Sequence, residues 1–133
     1  MSKPSSADIL TKIYSALTAN SALMALVGNQ IYNYVPQDST PPFIRCRWVG
    51  AADWDTKDSD GLEGTIQIDI WTEHKGMLLA YQISDKVQDI LHLQTLSTDS
   101  QNLLTRLIMQ DSFVEPDGIT NHTVQRYSTI ITN

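Results

Sequence analysis

Thr65-Ile66-Gln67-Ile68-Asp69-Ile70-Trp71-Thr72 is followed, after a break at Lys75-Gly76, by Met77-Leu78-Leu79-Ala80-Tyr81-Gln82-Ile83-Ser84-Asp85-Lys86-Val87-Gln88-Asp89-Ile90-Leu91-His92-Leu93. The first segment alternates isoleucine with Gln67, Asp69 and Trp71, the period-two signal of a strand in a sheet that is wet on one face. In the second, Leu79, Ile83, Val87, Ile90, Leu91 and Gln94 recur at three- and four-residue steps, and only Gln94 breaks the apolar stripe. Gln82, Asp85, Lys86 and Asp89 fall on the opposite side. An apolar stripe and an apolar sheet face so close in sequence can bury each other. Five aliphatic side chains on the helix would contribute roughly 8–15 kcal/mol of transfer free energy, an upper bound. This helix-on-sheet contact is the expected core.

Composition sets the outer limits. The 133 residues suit a single domain, 1–133, able to bury a core without covalent staples. Cys46 is the only cysteine, which rules out an internal disulfide and a cysteine-based metal site within one chain. The start, Met1-Ser2-Lys3-Pro4-Ser5-Ser6, lacks the apolar run of a signal peptide, and no segment approaches the roughly 20 apolar residues of a membrane span. These features predict a soluble protein made in a cytoplasm. A net charge of −6 argues against a nucleic-acid binder that works through its surface field. The charge is concentrated: Asp53, Asp55, Asp58, Asp60 and Glu63 share one short segment with a single lysine, Lys57.

Along the chain, residues 1–5 read as a loose polar tail, and a helix starts at Ser6 or Asp8, with Ile9, Leu10, Ile13, Tyr14 and Leu17 on its apolar face. Ala22 to Val27 reads as a further helical turn stopped by Gly28. Strands are expected over Gln30–Val35, Phe43–Val49, Thr65–Thr72, Leu104–Glu115 and His122–Thr132, the fourth with an irregularity at Leu107-Ile108-Met109. Residues 50–62 form a long acidic loop, and Leu96 to Asn102 a polar linker. The predicted fold class is α+β: a mostly antiparallel sheet of four to five strands, two main helices on one face, in the order α-β-β-β-α-β-β.

Catalytic chemistry finds no foothold. Aligning Gly61 with the glycine of a calcium-binding EF-hand loop puts Asp58 and Asp60 at ligand positions, but Thr56 and Gln67 then occupy the first and last, which favours a solvated, self-repelling loop over a calcium site. His74, His92 and His122 lie in separate elements without ligand spacing and read as surface residues. Cys46 reads as a small core residue. There is no Gly-x-Ser-x-Gly elbow and no phosphate-binding glycine loop. The expectation is no catalytic residue, no cofactor and no metal.

Assembly has better support. A loop with Trp54 among Asp53, Asp55, Asp58 and Asp60 is a candidate docking element. Arg45 and Arg47 fall opposite Asp69 if their strands pair, giving either a cross-strand ion pair or a subunit contact. The last strand, carrying Arg126 and Tyr127, offers an edge without lysine or proline to guard it. These residues form the candidate protein–protein interface.

Leu23-Met24-Ala25-Leu26-Val27-Gly28, Ile31-Tyr32, Val35-Pro36-Gln37, Pro41-Pro42-Phe43, the Gly64–Trp71 strand, the Gly76 turn and the Ile83–Leu91 helix form an ordered series. It resembles the tail-completion proteins of long-tailed bacteriophages, which are related to tail-terminator and head-to-tail joining proteins. The resemblance spans Ile9 to Leu91. It implies a non-enzymatic virion protein of the tail or neck, made in the host bacterial cytoplasm. It also implies a homo-oligomer, a hexameric ring that caps the tail tube and meets the tail tube protein and the head connector, with DNA only as cargo in the lumen and no membrane partner. Another neck or tube subunit, a monomeric host-directed binding module and, last, a metal-assisted hydrolase are the competing readings.

Overall fold

The computed structural model describes residues 6–53, 61–73, 75–97 and 102–132. Helices α1 (Ser6–Thr18) and α2 (Ser21–Val27) come first, then β1 (Ile31–Tyr32), β2 (Phe43–Asp53), β3 (Gly61–Glu73), α3 (Leu78–Leu91), β4 (Gln94–Ser97), β5 (Asn102–Val114) and β6 (Thr120–Thr132). The class is the expected α+β, but the described residues hold three helices and six strands. The six strands make one sheet in the order β1-β2-β3-β6-β5-β4, antiparallel except where β1 pairs with β2.

The helices form as their sequences dictate. Ile9, Ile13 and Leu17 are the buried stripe of α1, and Tyr14 stays exposed. Asn20 caps α2 by accepting from the Leu23 amide, and Gly28, at φ 60°, closes it in the left-handed region where a side chain would be strained. On α3, Ile83, Val87 and Leu91 are fully buried, and they pack with Ile66, Ile68 and Ile70 of β3 in one core. This is the contact expected from the deciding stretch. Gly64 is required next to it: the Trp48 indole lies where a Cβ would stand.

Four sequence expectations are corrected. Only Ile31–Tyr32 of the Gln30–Val35 segment is strand, pairing with Ile44 and Arg45. The predicted loop at 50–62 is largely ladder at its ends, because Gly50–Asp53 pairs with Leu62–Thr65 beyond a bulge at Trp48/Gly50. The polar linker contains β4, whose Gln94–Ser97 pairs with Asn102–Thr105. Most consequentially, the terminal strand is no edge. β6 lies in the middle of the sheet, hydrogen-bonded to β3 over its whole length on one side and to β5 on the other. The irregularity expected in β5 is a bulge between Leu107 and Met109.

Candidate assembly surface

β3 presents Gln67, Asp69 and Trp71 to the face of the sheet opposite the helices. Sequence alternation predicts this face to be wet, yet Asp69 is fully buried and Gln67 nearly so. Neighbouring strands close over them. Arg45, directly across on β2, places Nη2 at 2.9 Å from Asp69 Oδ2. Gln67 Nε2 donates to Asp69 Oδ1 at 3.0 Å, and Arg126 Nε donates to Gln67 Oε1 at 3.1 Å. His122 on β6 completes the ring of donors, its Nε2 at 2.8 Å from Asp69 Oδ1 and its Nδ1 at 2.8 Å from Glu115 Oε1. With a carboxylate oxygen on each ring nitrogen, the arrangement is fully donated only when both nitrogens carry hydrogen. Burial alone would raise the Asp69 carboxyl, but the hydrogen bonds from His122, Arg45 and Gln67, with the Arg45 charge, outweigh it and hold the group below the ordinary aspartate value.

Aromatic rings extend this network. Trp71 stacks on His122 at 4.5 Å between centroids, Phe43 and Phe113 tilt against Trp71 and His122 respectively, and the Arg45 guanidinium sits 5.4 Å over the Trp71 ring. Beside them an open cleft of about 460 Å³ runs between Ser39, Pro41, Phe43 and Trp71 on one wall and Glu115, Pro116, Asp117 and Thr120 on the other. Nothing in this constellation pairs a nucleophile with a base, and no cluster of three or more metal-ligating side chains occurs among the described residues.

The candidate interface residues are scattered. Arg45 makes the cross-strand ion pair with Asp69. Arg47 lies across from Gln67 and is exposed. Arg126 is half-buried in the network. Tyr127 belongs to the core: it is fully buried on the helix side, its hydroxyl donates to Gln125 Oε1 at 3.1 Å, and burial drives its phenol upward, so it offers a partner no surface. Asp53 ends β2, its backbone paired with Leu62; Trp54, Asp55, Asp58 and Asp60 lie outside the described residues. Cys46 is buried, as expected, and its thiol is pushed up to about 11.

Two histidines do more than the sequence suggests. His122 is the hinge of the polar network rather than a surface residue, and His92 Nδ1 accepts the Leu107 amide at 3.0 Å, ending the β4 flap. Only His122 carries a sequence clue, standing on the same strand face as Arg126; His74 lies outside the described residues.

The comparisons with known proteins agree with this architecture. A chain from the virion of a native gene transfer agent particle superposes with a TM-score of 0.86 at 19% identity, over 97% of this chain and 98% of that one. A second solved chain gives a TM-score of 0.62 at 14% identity, over 96% of this chain and 92% of its own length. At these identities the likeness is one of fold. No functionally curated protein matches the sequence. The model of the family "Tail completion protein gp17" matches residues 11–132, and the chain therefore belongs to that family of structural proteins of the phage virion, with its place in the tail and neck.

Proposed function

We propose that this protein is the repeating subunit of a ring, of hexameric size, that caps the tail tube, ends its growth and joins it to the head connector. One observation carries the reading. Among the described residues the sheet is unfinished on both sides, because two-residue β1 and four-residue β4 cover only part of the strands they flank. A subunit with two different unfinished sides suits a heterologous contact, in which one surface meets another on the next copy and closure stops the series. Monomers ordinarily guard such edges. Neither the helices nor the polar network supplies reactive chemistry, and the role is structural.

DNA is cargo in this reading. The acidic segment from Asp53 to Glu63 would face the lumen or an axial neighbour, where negative charge keeps a transiting duplex from adhering. Negative-stain images of the purified protein over a concentration series test the proposal. Annular particles of uniform diameter are expected; monomers at every concentration, with no annuli on isolated tails, overturn it.

A further inference from the structure

The two unfinished sides are offset. β2, β3, β6 and β5 are long, and their registers define two ends of the sheet. Phe43, Trp71, His122 and Phe113 mark one end; Asp53, Leu62 and Leu103 mark the other. β1 covers β2 only at Ile44 and Arg45, and the Asn33 side chain then caps the Cys46 carbonyl at 3.0 Å. The edge from Arg47 to Asp53 is left without a strand among the described residues. β4 covers β5 only from Asn102 to Thr105, and the edge from Ile108 to Val114 is left likewise. The free halves lie on opposite sides and at opposite ends.

Backbone direction fixes how they can meet. On β2, the Ile44 amide bonds outward to the Gln30 carbonyl, so Ile44, Cys46 and Trp48 face out. Past the bulge, the outward positions become Ala51 and Asp53. On β5, the Thr105 carbonyl accepts outward from the Leu93 amide, and the Leu107 amide donates outward to His92. Past its bulge, Gln110, Ser112 and Val114 face out; the Ser112 amide accordingly bonds no strand and turns to Asp111 Oδ1 at 2.9 Å.

We propose that the free half-edge of β5, Ile108–Val114, pairs antiparallel with the free half-edge of β2, Arg47–Asp53, of a second copy, making one sheet continuous through the assembly. This deepens the ring reading and rests on it. β5 runs opposite to β2, so a neighbour in the same orientation presents the antiparallel sense. Trp48, Ala51 and Asp53 then fall opposite Val114, Ser112 and Gln110, so that each outward position on one half-edge meets an outward position on the other. The same register sets Arg47 across from Glu115 on the helix-free face. Arg47 makes no ion pair among the described residues, and Glu115, whose Oε1 already meets His122, would gain it as a further partner of opposite charge. Neither half-edge carries lysine or proline. The overlap shifts each copy along the strand axis, a stagger that a closed ring absorbs by tilting its strands.

Mixed cysteine cross-linking tests the register. Cys46 is buried with a raised thiol, so Ala51→Cys and Ser112→Cys each place one reactive thiol on the surface. Under mild oxidation, an equimolar mixture should give a covalent heterodimer, while each variant alone stays uncross-linked. Val114→Pro removes one outward amide and nothing from the β5–β6 ladder; it should weaken self-association by about tenfold or more, with circular dichroism and melting retained. Self-linking of Ser112→Cys, or annuli in the mixture without the heterodimer, overturns the proposed pairing and leaves the ring reading standing. A wild type that forms no annuli at any concentration overturns both.

Discussion

On one face of the sheet, Ile66, Ile68 and Ile70 are sealed by α1, α2 and α3; on the other, Gln67 and Asp69 reach nearly the same burial with no helix above them. The first face excludes water by apolar area. The second does so with a polar mesh, in which Arg45, Arg126, His122 and Trp71 lie down over the acid and satisfy it. The helix-covered face resists disturbance because its stabilisation is spread over many contacts. The helix-free face depends on a single carboxylate whose loss strands its donors. A two-layer fold can thus keep its second sheet face free for neighbours without leaving it soft.

The largest test of that contrast is Ile68→Ala. Ile68 is fully buried between Cys46 and Gln125 on neighbouring strands, and the cavity should cost about 3–4 kcal/mol in urea denaturation, with little dependence on pH. Removing the carboxylate instead should cost slightly less but carry a different signature. Asp69→Ala leaves the Arg45 guanidinium and the His122 ring without their acceptor, an expected loss of about 2–3 kcal/mol at neutral pH, tempered because Arg45 is one-third exposed.

The signature is in acid. A carboxyl held lower in the folded than in the unfolded state stabilises the fold above its unfolded value, and that stabilisation is lost as pH falls through the folded value. For Asp69 the window lies below about pH 4, the ordinary aspartate range. Wild type should therefore lose stability there more steeply than Asp69→Asn, measured as denaturation midpoints from pH 6 to pH 2. Parallel acid limbs would show that the network contributes nothing beyond packing. A third disturbance sits where the faces share a strand: Gly64→Val drives a side chain into the space held by Trp48 and should cost about 2 kcal/mol, less than either change above if the indole can swing outward.

How far the sequence discloses these faces follows from the range of the interactions. The β3–α3 unit is legible because its partners are close in the chain and its periods are clean. Cap residues such as Asn20 and Gly28 are legible for the same reason. The position of β6 is not: it inserts between β3 and β5, pairing Trp71 with His122 across fifty residues, and local alternation says nothing of which strands are neighbours. Its buried face carries Thr123, Gln125 and Thr129, so polarity pointed the wrong way. The inversion is complete, for the strand expected to be exposed lies inside the sheet, and the unguarded backbone among the described residues belongs to β2 and β5. β4 escaped notice because Gln94-Thr95-Leu96-Ser97 has almost no apolar pattern of its own. Within the interface residues, the Arg45–Asp69 pairing was legible from alternation, whereas the burial of Tyr127 depended on knowing which of its two strand faces looks at α3.

The smallest expected effect on stability belongs to the acidic segment, and it separates stability from assembly. Asp53, Asp55, Asp58 and Asp60 crowd negative charge into one short segment, and replacing all four with asparagine should shift the unfolding free energy by less than about 0.5 kcal/mol. If their negative charge serves the lumen, the same variant should join heads to tails poorly or retain DNA in the neck, and raising the salt should relieve the retention, because screening weakens an interaction between exposed charges. Virions that carry the change and infect normally would remove the luminal role while leaving both sealed faces as they are. A variant that instead melts early would place those carboxylates in the packing of the subunit, and the division between a rigid sheet and a charged, dispensable margin would fail.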